Sequence, residues 1–192
     1  YMGLVEVGVG LIPAGGGLKE LCRRASAWAS QVPGGDPYPF IRRAFDVVGG
    51  GKVSSGAHEG RAFGYLAPGD GITFNKQRVL ADAKRKAIAL SEAGWVPPDR
   101  NAPIQVIGAP QGTSFLLGVK LFGWGGYISE HDALIGKKLT HVLSGGMPLT
   151  PRAVTAQHLL DLEREAFVSL TGEPKTVARI KHMLEKGKPL RN

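Results

Sequence analysis

At 192 residues, 43% of them hydrophobic and 21% charged, the chain has a globular composition and is long enough to bury the core of one ordinary domain. No apolar run reaches the roughly 20 residues of a membrane span, a single cysteine, Cys22, excludes an internal disulfide, and the start has no secretory signal pattern. A reducing cytoplasm is therefore the expected compartment, and the net charge of +8 admits nucleic acid, an anionic membrane or phosphorylated ligands without choosing among them.

Residues Met2 to Leu11 are mostly Val, Leu and Gly with one acid, which reads as a short strand or strand-to-turn passage. The chain begins at Tyr1 with the apolar segment already under way and no helix cap, so residues upstream are expected to be missing and to complete the sheet that this strand would join. The loop Pro13-Ala14-Gly15-Gly16-Gly17 hands over to a helix from about Leu18 to Gln31, which the prolines and glycines of Val32 to Pro39 must stop. A second helix is expected from Pro39 to Val48, and a cap and two to three helical turns between Val53 and Leu66, ending at Gly64.

Asn75 caps a helix to about Ala93, in which Val79, Ala83, Ala87 and Leu90 form one stripe and Lys84, Arg85 and Lys86 face away, with Gly94 as exit. Residues Val96 to Pro110 read as a Pro-rich connector holding one short strand, Ile104 to Ile107. Helices near Thr113 to Phe122 and Ser129 to Leu143 follow. Pro151 is expected to open a long helix with the stripe Leu159, Leu162, Ala166 and Leu170, ended by Gly172. Glu173 and Pro174 open the last helix, with Val177, Ile180 and Leu184 inward and Gly187 at its end.

Few residues carry obvious chemistry. Glu6 is the one acid of the apolar opening; burial between valines would suit such a carboxyl to general acid or base work, whereas on an alternating strand it would simply face solvent. The glycine run before a helix could present N–H groups to a phosphate or a developing oxyanion, or could be a tight turn; it lacks the spacing of a P-loop or a dinucleotide fingerprint. His58, His131, His141, His158 and His182 lie too far apart for paired metal ligands, and Cys22 within a helix reads as a small buried hydrophobe.

The ordered string Gly-Leu-x-Glu-x-x-x-Gly-x-x-Pro-x-x-Gly-Gly, present as Gly3 through Gly17, resembles the second catalytic segment of the crotonase superfamily. Lys52-Val53-Ser54-Ser55-Gly56-Ala57 through Gly64-Tyr65-Leu66 is similar to that family's Ser-Ala-x-x-Ala helix, with Gly56 and Gly60 standing where the family has Ser and Ala. The tail, from Leu162 to Phe167 and from Leu184 to Pro189, resembles its closing helix pair. The stretch from Pro97 to Pro151 resembles the hydratase end of bifunctional proteins that carry a 3-hydroxyacyl-CoA dehydrogenase at the N-terminus.

The resemblance implies an α/β crotonase fold represented here mainly by its C-terminal, mostly helical part: half of the crotonase core over 1–95, connector and extra helices over 96–150, and the closing pair over 151–192. It implies an enoyl-CoA hydratase region that hydrates trans-2-enoyl-CoA to 3-hydroxyacyl-CoA in fatty-acid β-oxidation, inactive as a fragment. Glu6 would be catalytic, and Pro13, Ala14, Gly15, Phe167 and Lys186 would bind substrate, the last two at the adenine end of CoA. Hydration needs no cofactor; NAD is expected only in the parent's dehydrogenase part. The partners implied are an acyl-CoA thioester and either further copies of the chain or the missing N-terminal portion, with no membrane. The alternative is a basic helical module that binds nucleic acid or another anionic partner.

Overall fold

The computed structural model of the chain describes residues 1–192. Eight α-helices form it: α1 (Gly17–Ala29), α2 (Tyr38–Gly49), α3 (Ala57–Ala62), α4 (Val79–Glu92), α5 (Gly108–Trp124), α6 (Glu130–Leu143), α7 (Ala156–Thr171) and α8 (Pro174–Lys186). The only strands are β1 (Ile104–Val106) and β2 (Arg152–Val154), an antiparallel pair in which Ile104 faces Val154 and Val106 faces Arg152. No helix is long and apolar enough to cross a membrane.

This architecture corrects the expectation of an α/β crotonase fold. Residues Met2 to Leu11 do not form a strand. They make a single bridge between Gly3 and Val53 and then a 3₁₀ turn over Glu6–Val9, which Gly10 ends in the left-handed region at φ 87°. The Leu11 amide closes that turn on the Glu6 carbonyl at 3.1 Å. A backbone that turns at Glu6 and reverses hand at Gly10 cannot run on as an extended edge, because only glycine takes that φ freely.

The core draws on 11–48, 104–143 and 154–170 together. Leu18, Cys22 and Ala25 of α1 meet Leu139 and Leu143 of α6 and Leu159 and Leu170 of α7, all between 0 and 1% exposed. Burying each of the leucines stabilises by about 1.5–3 kcal/mol. The β-pair lies against α1, where the Gln105 amide donates to Ser26 Oγ at 2.9 Å. Phe115 of α5 stacks on both Tyr38 and Phe45 of α2, with ring centroids 5.5 and 4.8 Å apart.

Local chemistry places the helix ends. Ser129 and Asp132 form a reciprocal capping box at the start of α6, each side chain accepting the other's amide at 3.1 Å. Pro151 does not open α7. Residues 152–154 stay extended because they pair with β1, and the helix waits for Thr155, whose hydroxyl accepts the His158 amide at 3.1 Å.

Two expected inward faces are corrected. On α8 it is Thr176 and Arg179 that are buried, while Val177 and Leu184 are exposed, Leu184 by 82%. The polar pair wins the interior because each has fixed partners there. Thr176 Oγ1 donates to the Gly10 carbonyl at 2.8 Å, and Arg179 bonds Asp132 Oδ1 at 2.7 Å and Asn192 Oδ1 at 2.8 Å. The other face is on α4, which ends near Ala93 and Gly94 as expected but starts at Val79, Asn75 capping the 3₁₀ turn Lys76–Arg78 ahead of it, and which buries no residue at all.

Candidate functional site

The glycine loop and the turn around Glu6 adjoin one another at the start of α1, and their polar groups have unequal fates. Gly16 sits in the left-handed region at φ 90° and aims the first amides of α1 at α7. There the buried Glu163 carboxylate accepts the Gly16 amide on Oε2 at 2.7 Å and the Lys19 amide on Oε1 at 2.5 Å. Burial pushes the Glu163 carboxyl above its usual range, and the Lys19 and Gly16 amides pull against that rise. The anion that this helix N-terminus attracts is thus supplied by the protein itself.

Glu163 stands among Leu159, Ala166 and Leu170 on the buried face of α7. In the sequence it is masked by the charged run Glu163-Arg164-Glu165, which has the look of a solvated face. The usable signal was its spacing, four residues after Leu159 and three before Ala166, which puts it inside the apolar stripe.

Glu6 is half-buried on the 3₁₀ turn, and its Oε2 is closed off from solvent without a hydrogen-bond partner. The nearby Tyr65 hydroxyl accepts the Leu4 amide at 3.3 Å. Burial raises the Tyr65 pKa; the bond from Leu4 opposes this, and the Glu6 charge adds to it. This places one unpaired carboxylate oxygen and one un-ionised phenol at the same turn.

The remaining expected residues are dispersed. Pro13 is buried, Ala14 half-buried and Gly15 exposed. Phe167 packs against the core from α7, and Lys186, the last residue of α8, is exposed. No side-chain hydrogen bond or salt bridge joins Glu6, Phe167 or Lys186 to another of these residues. Cys22 is fully buried beside the Leu143 carbonyl, and burial followed by the Glu163 charge pushes its thiol up to about 12.

A second buried polar cluster, unseen from the sequence, ties α6 and α8 to the Gly10 turn. Thr176 already donates to Gly10, so it must accept from His131, whose Nε2 lies 2.8 Å away and therefore carries the proton. Burial lowers the His131 pKa, with the Arg179 charge acting in the same direction.

The chain is 45% identical over 196 aligned residues to a protein of Bacillus subtilis (strain 168) described as a probable 3-hydroxyacyl-CoA dehydrogenase. The match covers all of this chain but 24% of that relative's length. No family model matches the chain, and no solved structure matches it.

A relative described as a dehydrogenase, together with a helical body and a two-stranded sheet, overturns three linked expectations. The chain is not read as a crotonase-fold enoyl-CoA hydratase, nor as the C-terminal half of one, and hydration of trans-2-enoyl-CoA is not assigned to it. The 3-hydroxyacyl-CoA dehydrogenase named in the resemblance is the part that agrees with this relative's description.

Proposed function

We propose that this chain is a helical portion of an NAD-dependent 3-hydroxyacyl-CoA dehydrogenase of fatty-acid oxidation, lying outside the nucleotide-binding part. The carrying observation is the 45% identity along its whole length to the probable 3-hydroxyacyl-CoA dehydrogenase.

NAD does not fit the residues present. A dinucleotide's pyrophosphate is ordinarily held at a glycine-rich turn opening a helix at the edge of a parallel sheet. The glycine-rich helix start here is α1, and the Glu163 carboxylate already accepts its amides from within the core. A pyrophosphate brought there would meet a buried negative charge. The cofactor is thus assigned to the parent polypeptide outside these residues.

On the substrate side, Glu6 is the group that this chain offers for handling a proton, because its Oε2 has no partner within the protein. The exposed Lys186 and the aromatic Phe167 suit the anionic and adenine ends of a CoA thioester. Glu6→Gln in the parent polypeptide is expected to lower the rate of NADH formation from a 3-hydroxyacyl-CoA by at least ~10², the scale for losing a positioned acid or base. Lys186→Ala is expected to raise KM for the CoA ester with kcat little changed, as for a contact made equally in ground and transition states. A parent that forms no NADH from 3-hydroxyacyl-CoA overturns the function, while an unchanged rate in the Glu6 variant removes only that residue's role.

A further inference from the structure

Residues 67–103 hold lightly to the body of the protein, through the Arg61 guanidinium, which donates to the Asp70 carbonyl at 2.9 Å, and the His58 ring, whose centroid is 6.4 Å from that of Phe74. None is buried, and α4, with the 3₁₀ turn at Lys76–Arg78 ahead of it, makes no substantial packing contact with any other helix or strand. The stretch is nonetheless well formed. Asn75 caps it by accepting the Gln77 amide at 3.0 Å, Asp82 pairs with Arg85 and accepts the Thr73 hydroxyl at 3.0 Å, and Gly94 ends it at φ 72°. A 14-residue helix without tertiary packing is marginal in water, since helices shorter than ~12–15 residues depend on the surface they cover.

One face of α4 is made for such a surface. At 100° per residue, Val79, Leu80, Ala83, Ala87 and Leu90 fall within an arc about 100° wide, the width of a core-facing stripe. Leu80 is 81% exposed, and Phe74 and Trp95 flank the helix at 89% and 57%. Ala83 and Ala87 at the middle of the arc let another backbone come close. The segment's charges nearly balance: Lys76, Arg78, Lys84, Arg85, Lys86 and Arg100 against Asp70, Asp82, Glu92 and Asp99. That is the pattern of an apolar contact rather than of one driven by phosphate charge.

We propose that the apolar face of α4 docks on the remainder of the parent polypeptide, so that the 67–103 arm ties this helical portion to the dehydrogenase body. The relative supplies the occupant, since more than three quarters of its length lies outside the match. The inference rests on the reading of the chain as a portion of a longer dehydrogenase.

Amide hydrogen exchange on the full-length parent tests it. Residues 79–92 are expected to exchange at least ~10²-fold more slowly than an uncovered helix, with protection independent of protein concentration. Leu80→Glu in the same protein is expected to abolish that protection while leaving α7 protected, and Arg85→Ala on the opposite face to leave it intact. Uncovered-helix exchange in the parent overturns the proposal. Protection that grows with protein concentration assigns the face to a second copy, and protection that appears only with phosphatidylglycerol vesicles assigns it to a lipid surface; either result overturns the proposal. NADH formation measured on the same sample separates the two readings. An active parent with an unprotected arm sinks the docking alone, and a protected arm without activity sinks the dehydrogenase reading alone.

Discussion

Helices α4 and α7 differ by two residues in length, and both carry an apolar stripe at helical spacing, yet α7 buries five side chains and α4 none. The stripe is a property of the helix, written in its residues; burial is a property of the neighbour that meets it. In α7 those neighbours are α1 and α6, and the fit is close enough to take in a carboxylate together with the leucines. In α4 the same kind of pattern meets water. An amphipathic pattern thus reports a demand for a partner, without saying which element supplies it.

Breaking the buried side of the contrast should cost most. Arg179 is 1% exposed and its charge leans on Asp132, so Asp132→Ala is expected to destabilise the chain by about 3–5 kcal/mol, the cost of leaving a buried charge unpaired. Urea unfolding checks this; a loss under about 1 kcal/mol would show that Arg179 reaches water or Asn192 alone suffices. Leu170, fully buried on α7, should lose about 2–5 kcal/mol on change to Ala. Leu80→Ala on α4 should stay within about 0.5 kcal/mol in the same 192-residue chain, as for exposed sites. Equal effects at Leu170 and Leu80 would erase the distinction between body and arm.

The His131 cluster sharpens the contrast through pH. Its folded pKa is held below the ordinary 6.5, so the unfolded state takes up the proton first. The His131 contribution to stability is fully present above pH 6.5 and is lost as pH falls through the folded value. The raised Glu163 works in the opposite direction, favouring the folded state as pH falls toward its ordinary range. A His131→Gln variant isolates the first effect: its melting temperature should fall less than the parent's between pH 7 and 5. Identical pH profiles would mean that the second proton, taken up at Nδ1 because Nε2 already donates to Thr176, is accommodated in the folded state without cost.

Much of the helical order was legible from the residues. Asn75, Ser129 and the Glu173-Pro174 pair begin their helices or the turn before them, and Gly64, Gly94 and Gly187 end theirs with positive φ, because these residues act through local backbone chemistry. What escaped was set by distant partners. The Met2–Leu11 run looked extended from its valines, but Gly10 and the fit to Thr176 turned it. Residues 152–154 looked helical after Pro151, but β1 was waiting for them. On α8 the leucine and valine stripe faces out because Arg179 and Thr176 found partners inside.

The candidate site divides along the same line. Glu6 was visible as a lone acid among apolar residues, and the structure leaves one of its oxygens without a partner. The glycine loop was visible too, but its engagement by a carboxylate 147 positions away was not. Nothing within a 15-residue window discloses a long-range hydrogen bond of that kind.

The sealing of Cys22 gives the molecule a built-in reporter. The chain has one thiol, packed at 0% exposure where α1 meets α6 and α7, and held at about 12. Such a thiol is inert to alkylating reagents until the packing around it opens, so the rate at which iodoacetamide consumes it counts excursions of the core rather than the nucleophilicity of sulfur. Any cysteine introduced on the arm could be tagged quantitatively while Cys22 stays silent, which makes the chain ready for site-specific spectroscopic labelling without prior thiol removal.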